Sequence, residues 1–196
     1  MAEPAKRNAT YADLEAVHPH LVAEIVFGNL VTHPRPTARH ALAHSTLGVE
    51  LGDPFQRGRG GPGGWIFLTE PELHSGQHVL VPDLAGWKRD RFHIDQDIVG
   101  ITIAADWVCE IQSPSTERYD RNEKRRIYAQ TGVGYCWLLD PSVNQLECLS
   151  RVGENWLLTH IFSDNDIVCA PPFEAAAFAL NALWPLDVPD VKKISE

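Results

Sequence analysis

The stretch His78-Val79-Leu80-Val81-Pro82-Asp83-Leu84-Ala85-Gly86-Trp87 sets one acid inside an otherwise apolar, strand-prone run. A second run, Asp106-Trp107-Val108-Cys109-Glu110-Ile111-Gln112, does the same with Glu110. A carboxylate in such surroundings loses hydration and costs free energy unless something compensates it. One buried acid finds relief in a backbone N–H or an arginine. Two in neighbouring strands repel each other unless a cation lies between them. Magnesium is held in this way, by one or two carboxylates, several waters and phosphate oxygens. The two runs therefore predict neighbouring strands and a metal-dependent site carried by Asp83 and Glu110.

Beyond the second run, a polar, charged segment from about Thr116 to Gln130, closed by Gly132, predicts a helix. Ser115 or Thr116 serves as its N-cap, with Glu117 and Asp120 near its positive end. Asp120, Lys124 and Tyr128 recur every four residues and share one face. If that face packs on the two strands, the Lys124 ammonium reaches the carboxylates, where it would steady an activated water or developing phosphorane charge. Arg118, Arg121, Arg125 and Arg126 on the same helix suit a polyanionic backbone. The spacing equally allows a plain Asp120–Lys124 salt bridge and a solvated arginine face.

The rest of the chain reads as a mixed α/β domain. Thr10 and Asp13 mark a short helix running to about Val17. Two apolar runs, Leu21 to Phe27 and Leu30 to His33, flank Gly28-Asn29 and predict a tight hairpin. After Pro34 and Pro36, the spacing of Ala38, Leu42, Leu47 and Leu51 predicts a helix over Thr37 to about Leu51. Pro54 to Gly64 is a glycine-rich connector. Strand-like runs follow at Trp65 to Leu68, Val79 to Trp87, Trp107 to Gln112, Tyr135 to Leu139, Gln145 to Leu149 and Trp156 to Phe162. Phe173 to Leu183 predicts a small helix. We expect a single domain over 1–196, with its core over about 11–162 and a C-terminal extension over 163–196.

Other patterns invite a chemical reading that their context removes. Gly58-Arg59-Gly60-Gly61-Pro62-Gly63 matches GxGxxG, but a dinucleotide fingerprint follows a strand and opens a helix. Here a helix precedes it, a strand follows it and Pro62 interrupts it. His40 and His44 share a helix turn without the glutamate after His40 that a zincin site needs, so they read as a helical surface or core pair. His74 and His78 flank a Ser-Gly turn. Ser113 and Ser115 lie in a Ser-Pro-Ser-Thr turn and not at a GxSxG elbow, which argues against an acyl-transfer nucleophile.

A chain of 196 residues, 44% of them hydrophobic, has enough apolar material for a core without disulfide or metal staples. Cys109, Cys136, Cys148 and Cys169 form no CxxC pair; isolated cysteines usually act as small buried hydrophobes, a reading that the apolar strand-like runs around Cys109, Cys136 and Cys148 support. No apolar run reaches the roughly 18 residues of a membrane span. Met1 to Thr10 shows no apolar signal region, so a cytoplasmic location is expected, with no membrane partner. The formal charge of -9, from 17 basic and 26 acidic residues, argues against broad electrostatic binding to nucleic acid. It does not argue against acids that hold a metal ion against a phosphate.

Taken in order, several pieces resemble the Uma family of restriction-endonuclease-like proteins, within the PD-(D/E)XK nucleases. They are Glu24-Ile25-Val26-Phe27-Gly28, Pro82-Asp83-Leu84-Ala85 and the run from Trp107-Val108-Cys109-Glu110-Ile111 to Thr116. They continue with Asp120, Lys124, Tyr128 and the run from Gly132 to Asp140-Pro141. The likeness extends from about Tyr11 to Phe162. It implies a central mixed β-sheet flanked by helices, magnesium dependence with manganese able to substitute, and hydrolysis of DNA phosphodiester bonds, other nucleic acids being the wider class. It further implies that Asp83 and Glu110 are metal ligands, with the Ile111 carbonyl as a third and Glu24 as an auxiliary acid at the site edge. The lysine that the motif places two residues after Glu110 is replaced by Gln112, which can orient a water but supplies no charge. Lys124 on the following helix resembles its migrated replacement, with Tyr128 positioning Lys124 or a phosphate oxygen. A homodimer is expected, because the backbone of duplex DNA is two-fold symmetric. A second reading stays open: a nuclease fold without catalysis, kept as a binding or interaction module, which the acidic charge and Gln112 favour.

Overall fold

The computed structural model describes residues 6–94, 97–114 and 116–186. The first half runs β1 (Lys6–Arg7), α1 (Tyr11–Glu15), β2 (Leu21–Val26), β3 (Asn29–Pro34) and α2 (Ala38–Leu51). A π-helical turn over Gly52–Gln56 extends α2. Then come β4 (Trp65–Thr69), β5 (Glu72–Ser75), β6 (His78–Leu80), β7 (Leu84–Lys88), β8 (Gly100–Ile101) and β9 (Trp107–Ile111). The next helix is continuous over 117–131: α3 (Glu117–Tyr119), a π turn (Asp120–Lys124) and α4 (Arg125–Thr131). The chain closes with β10 (Tyr135–Asp140), β11 (Gln145–Val152), β12 (Asn155–Ser163), β13 (Ile167–Val168), β14 (Phe178–Ala179) and a 3-10 turn over Leu180–Leu183.

Strand alternation and the helices α1, α2 and 117–131 give the mixed α+β fold that the sequence predicts, with the strands divided between two large sheets. The main sheet has the order β12-β11-β10-β9-β7-β4. Only its β9–β10 pair is parallel among the described residues. A parallel pair needs a crossover, and the 117–131 helix supplies it. The second sheet has the order β1-β3-β2-β6-β5-β8. Along β9 the residues alternate in facing. Trp107, Cys109 and Ile111 pack with Leu47, Leu51 and Phe55 of α2 and its extension, and with Phe173, Leu180 and Leu183 from the C-terminal segment. Val108 packs on the other face with Ile127 and Tyr128 of α4 and with Val26, Val31 and Leu80 of the second sheet.

The run expected as one strand from Val79 to Trp87 is broken. β6 belongs to the second sheet and β7 to the main sheet, with Val81-Pro82-Asp83 crossing between them. Pro82 has no N–H to offer a ladder, so pairing stops there. The break decides the site, because it leaves Asp83 at the junction of the two sheets.

Smaller differences have local causes. The β2–β3 hairpin turns on Phe27-Gly28, one residue earlier than Gly28-Asn29: Val26 pairs with Asn29, and φ is +48° at Phe27 and +72° at Gly28. Asn29 instead caps the turn, its side-chain amide donating to the Phe27 carbonyl at 3.1 Å. The buried stripe of α2 is His40, Ala43, Leu47 and Leu51, rotated from the stripe through Ala38 and Leu42. Phe173 to Leu183 forms no α-helix; it makes β14 and the 3-10 turn, and its apolar side chains complete the core under α2. α1 starts as expected, with Thr10 N–H and Oγ1 donating to Asp13 Oδ2 at 2.8 and 2.9 Å. The 117–131 helix ends at Gly132, whose φ of +95° favours glycine. Ser115, one of the two expected N-caps, lies outside the described residues. No helix among the described residues is long and apolar enough to cross a membrane.

Candidate active site

Two facts of register bring the acids together. β7 pairs antiparallel with β9 through Leu84 and Cys109, so one step further Asp83 falls opposite Glu110. Their side chains therefore rise from neighbouring positions at one end of the main sheet. The Ile111 N–H then donates to Asp83 Oδ2 at 2.7 Å, fixing that carboxylate to the end of β9.

The helix delivers the cation. Lys124 Nζ lies 2.8 Å from Glu110 Oε1, 2.9 Å from Glu24 Oε1 and 3.7 Å from Asp120 Oδ1. It also donates to the Val81 carbonyl at 3.3 Å. The three carboxylate side chains and the lysine are each no more than 4% exposed. Asp120 and Lys124 do pair at i,i+4, but inside the protein and as part of a larger cluster, so this is not a surface salt bridge. Glu24 stands in the middle of that cluster: its Oε1 also accepts the Val81 N–H at 2.7 Å. Its carboxylate thus lies beside Lys124 at the wall of the cleft. Tyr128 donates to Glu110 Oε1 at 2.5 Å. The phenol is buried, bonds Glu110 and not Lys124, and does not line the cleft. Glu24, Asp83, Glu110, Ile111, Asp120 and Lys124 all line one cleft of about 230 Å³.

Gln112 is placed elsewhere. Its Oε1 accepts from Arg121 at 2.9 Å, and the same guanidinium pairs with Glu147 at 2.9 Å. Gln112 is buried in this network beside the cleft and does not line it. The helix arginines are also partly committed, since Arg126 stacks over the Phe27 ring at 5.5 Å.

One residue of the site reads from sequence only as half of a helical surface or core pair. His40, from the first turn of α2, has Nε2 3.1 Å from Asp83 Oδ1 and hydrogen-bonds the Ile111 backbone. A signal for it exists: a polar residue in phase with Ala43, Leu47 and Leu51 faces inward, and a buried imidazole needs a partner. His33 also lines the cleft, 3.7 Å from Glu24 Oε2.

Four carboxylates (Glu24, Asp83, Glu110, Asp120) thus line one cleft, and three of them, Glu24, Glu110 and Asp120, surround the Lys124 ammonium. Burial pushes Glu110 well above the usual carboxylate range, and Lys124 pulls it back only in part. Burial likewise raises Asp120, to about 7. For Lys124, burial favours the neutral amine, but Glu110, Glu24 and Asp120 outweigh it and hold the ammonium well above its ordinary value. Burial and the Glu110 charge keep the Tyr128 phenol protonated. For His40, burial opposes protonation, but the hydrogen bond and charge of Asp83 prevail and raise it.

The donor set fits a hard divalent cation. Among the described residues no three His, Cys, Asp or Glu side chains are grouped around one ion position. Magnesium does not require that, since it takes one or two carboxylates and completes its shell with water and phosphate oxygens. Burial first, and the neighbouring carboxylates after it, raise Glu110 and Asp120; a bound cation would offset both by favouring the charged forms.

A mixed sheet with acids at the ends of neighbouring strands, joined by a lysine from the crossover helix, defines a restriction-endonuclease-like fold. The chain belongs to the Uma2 family, described as "Putative restriction endonuclease", whose model matches residues 9–182. Its fold is similar to that of "a putative nuclease belonging to DUF820 from Anabaena variabilis ATCC 29413", with a TM-score of 0.73 and 19% identity over 88% of this chain and 94% of that one. No curated protein matches the chain in sequence.

Proposed function

We propose that this protein is a divalent-metal-dependent endonuclease that hydrolyses phosphodiester bonds in DNA. The observation that carries the reading is the meeting in one cleft of Asp83 from the β6–β7 crossing, Glu110 from β9 and Lys124 from the 117–131 helix. The family and the shared fold support nuclease-like chemistry. Asp83, Glu110 and the Ile111 carbonyl would hold magnesium, or manganese in its place. When bound, such an ion neutralises phosphate charge and lowers the pKa of a water.

The chain's own residues do the rest. Lys124 remains an ammonium, so it acts as a fixed cation and not as a base. Its charge stabilises the negative charge that builds on the phosphate oxygens. Glu24 and Asp120 hold the ammonium in place, Tyr128 orients Glu110, and the Ile111 N–H orients Asp83. Gln112, tied to Arg121 beside the cleft, has no part in the reaction in this reading. We further propose a cytoplasmic homodimer, whose two clefts would serve the two strands of a duplex.

The test is cleavage of supercoiled, linear and single-stranded DNA with manganese, with RNA as a further substrate. Asp83→Ala and Glu110→Ala are expected to abolish cleavage while circular dichroism shows the fold retained. Cleavage by Asp83→Ala equal to the parent overturns the reading. The second reading, a binding module, draws on the near-complete burial of Lys124 and predicts no magnesium or manganese binding by calorimetry.

A further inference from the structure

If the cleft holds a divalent metal, as proposed above, its walls indicate which atoms bind the ion. Asp83 Oδ2 is committed to the Ile111 N–H, which leaves Oδ1 facing the His40 imidazole at 3.1 Å. The same imidazole hydrogen-bonds the Ile111 carbonyl. Three donor atoms therefore cluster at one wall of the cleft: Asp83 Oδ1, the Ile111 carbonyl oxygen and His40 Nε2. Ligand atoms on adjacent vertices of an octahedron with bonds of about 2.1 Å lie about 3.0 Å apart. The Asp83–His40 separation is that of two such neighbours. On the far side of the ring, Nδ1 is buried with no hydrogen-bond partner among the described residues. Without an ion, Nε2 carries the proton that Asp83 Oδ1 and the Ile111 carbonyl accept; no neighbour at Nδ1 blocks that nitrogen from taking the proton when an ion replaces it at Nε2.

We infer that His40 is a nitrogen ligand of the metal site, joining Asp83 and the Ile111 carbonyl; the inference rests on the metal-dependent reading. An imidazole among oxygen donors shifts preference from magnesium toward manganese and the later first-row metals. The chain's own ion is then a transition metal, with magnesium the weaker occupant. His33, which also lines the cleft, faces Glu24 and the Tyr119 ring and serves as the control.

The test is pulsed electron paramagnetic resonance on metal-stripped full-length protein titrated with Mn2+, alongside calorimetry with Mn2+ and Mg2+. The expected result is one bound Mn2+ with a direct coupling to nitrogen, kept in His33→Gln and lost in His40→Gln. The Mn2+-over-Mg2+ affinity ratio is expected to fall roughly tenfold or more in His40→Gln, while its melting temperature shows a folded protein. Should His40→Gln fail to fold, isotopic labelling of histidine nitrogen in the wild type and in His33→Gln settles whether a histidine other than His33 binds the ion. Bound Mn2+ without nitrogen coupling, or with a coupling that survives His40→Gln, overturns the inference and leaves the nuclease reading standing. Failure to bind Mn2+ at all overturns both.

Discussion

Lys124 Nζ lies 2.8 Å from Glu110 Oε1, and both side chains are 3% exposed. Removing the ammonium leaves Glu110, Glu24 and Asp120 buried without their cation, and breaking a buried pair costs about 3–5 kcal/mol. Lys124→Met is expected to lose stability on that scale at about pH 8, read from urea midpoints in a chelator. The loss shrinks at about pH 5, where protons replace the missing charge. Equal losses at both values would show that the lysine does not hold these acids through its charge.

Asp120 sharpens the pH argument. Burial raises its folded pKa to about 7, from an ordinary 3.8. Over that window the folded state binds a proton that the unfolded state has released. The resulting stabilisation is complete below the lower value and disappears as pH rises through the upper one. The metal-free protein should therefore weaken steadily from about pH 4 to 7, with Glu110, also raised, adding to the slope. Asp120→Asn carries no charge at any pH, so its stability falls less steeply over the same range. Parallel curves for parent and variant, measured by urea unfolding at several pH values, would refute this.

The Tyr128 hydroxyl reaches Glu110 from behind, out of contact with the cleft. Tyr128→Phe removes the donor and leaves Glu110 Oε1 with Lys124 alone. The expected cost is about 1–3 kcal/mol of stability. Since orienting partners of metal ligands typically matter by 10–100-fold, Mn2+ affinity should drop by roughly tenfold or more. Unchanged affinity in calorimetry would mean that this bond is structural only.

The acids of the site are legible because burial of charge leaves a mark in sequence: Asp83 and Glu110 interrupt apolar runs, and Lys124 repeats at four from Asp120 and Tyr128. The division of strands between two sheets is not. It depends on Pro82, and a proline after an apolar run reads equally as a strand end or an edge position. His40 escapes a reading that phases the α2 stripe on Ala38 and Leu42, because a small rotation of the helix decides which side chains face in. The ties of Gln112 and Tyr128 to Arg121 and Glu110 depend on packing, which residue spacing does not encode.

Gln112 stands where the nuclease motif carries its lysine, so Gln112→Lys restores the motif and tests whether Lys124 has taken over. In this fold position 112 faces Arg121, 2.9 Å from its guanidinium, and that guanidinium already neutralises Glu147. A lysine there meets a like charge in a buried setting and displaces the Arg121–Glu147 pair. Stability is expected to drop by about 1–3 kcal/mol, and cleavage should not rise. Pairing the change with Glu147→Gln should not rescue it, since that removes the remaining anion. A gain in cleavage by Gln112→Lys at unchanged metal affinity would show that the site lacks a cation which Lys124 does not supply.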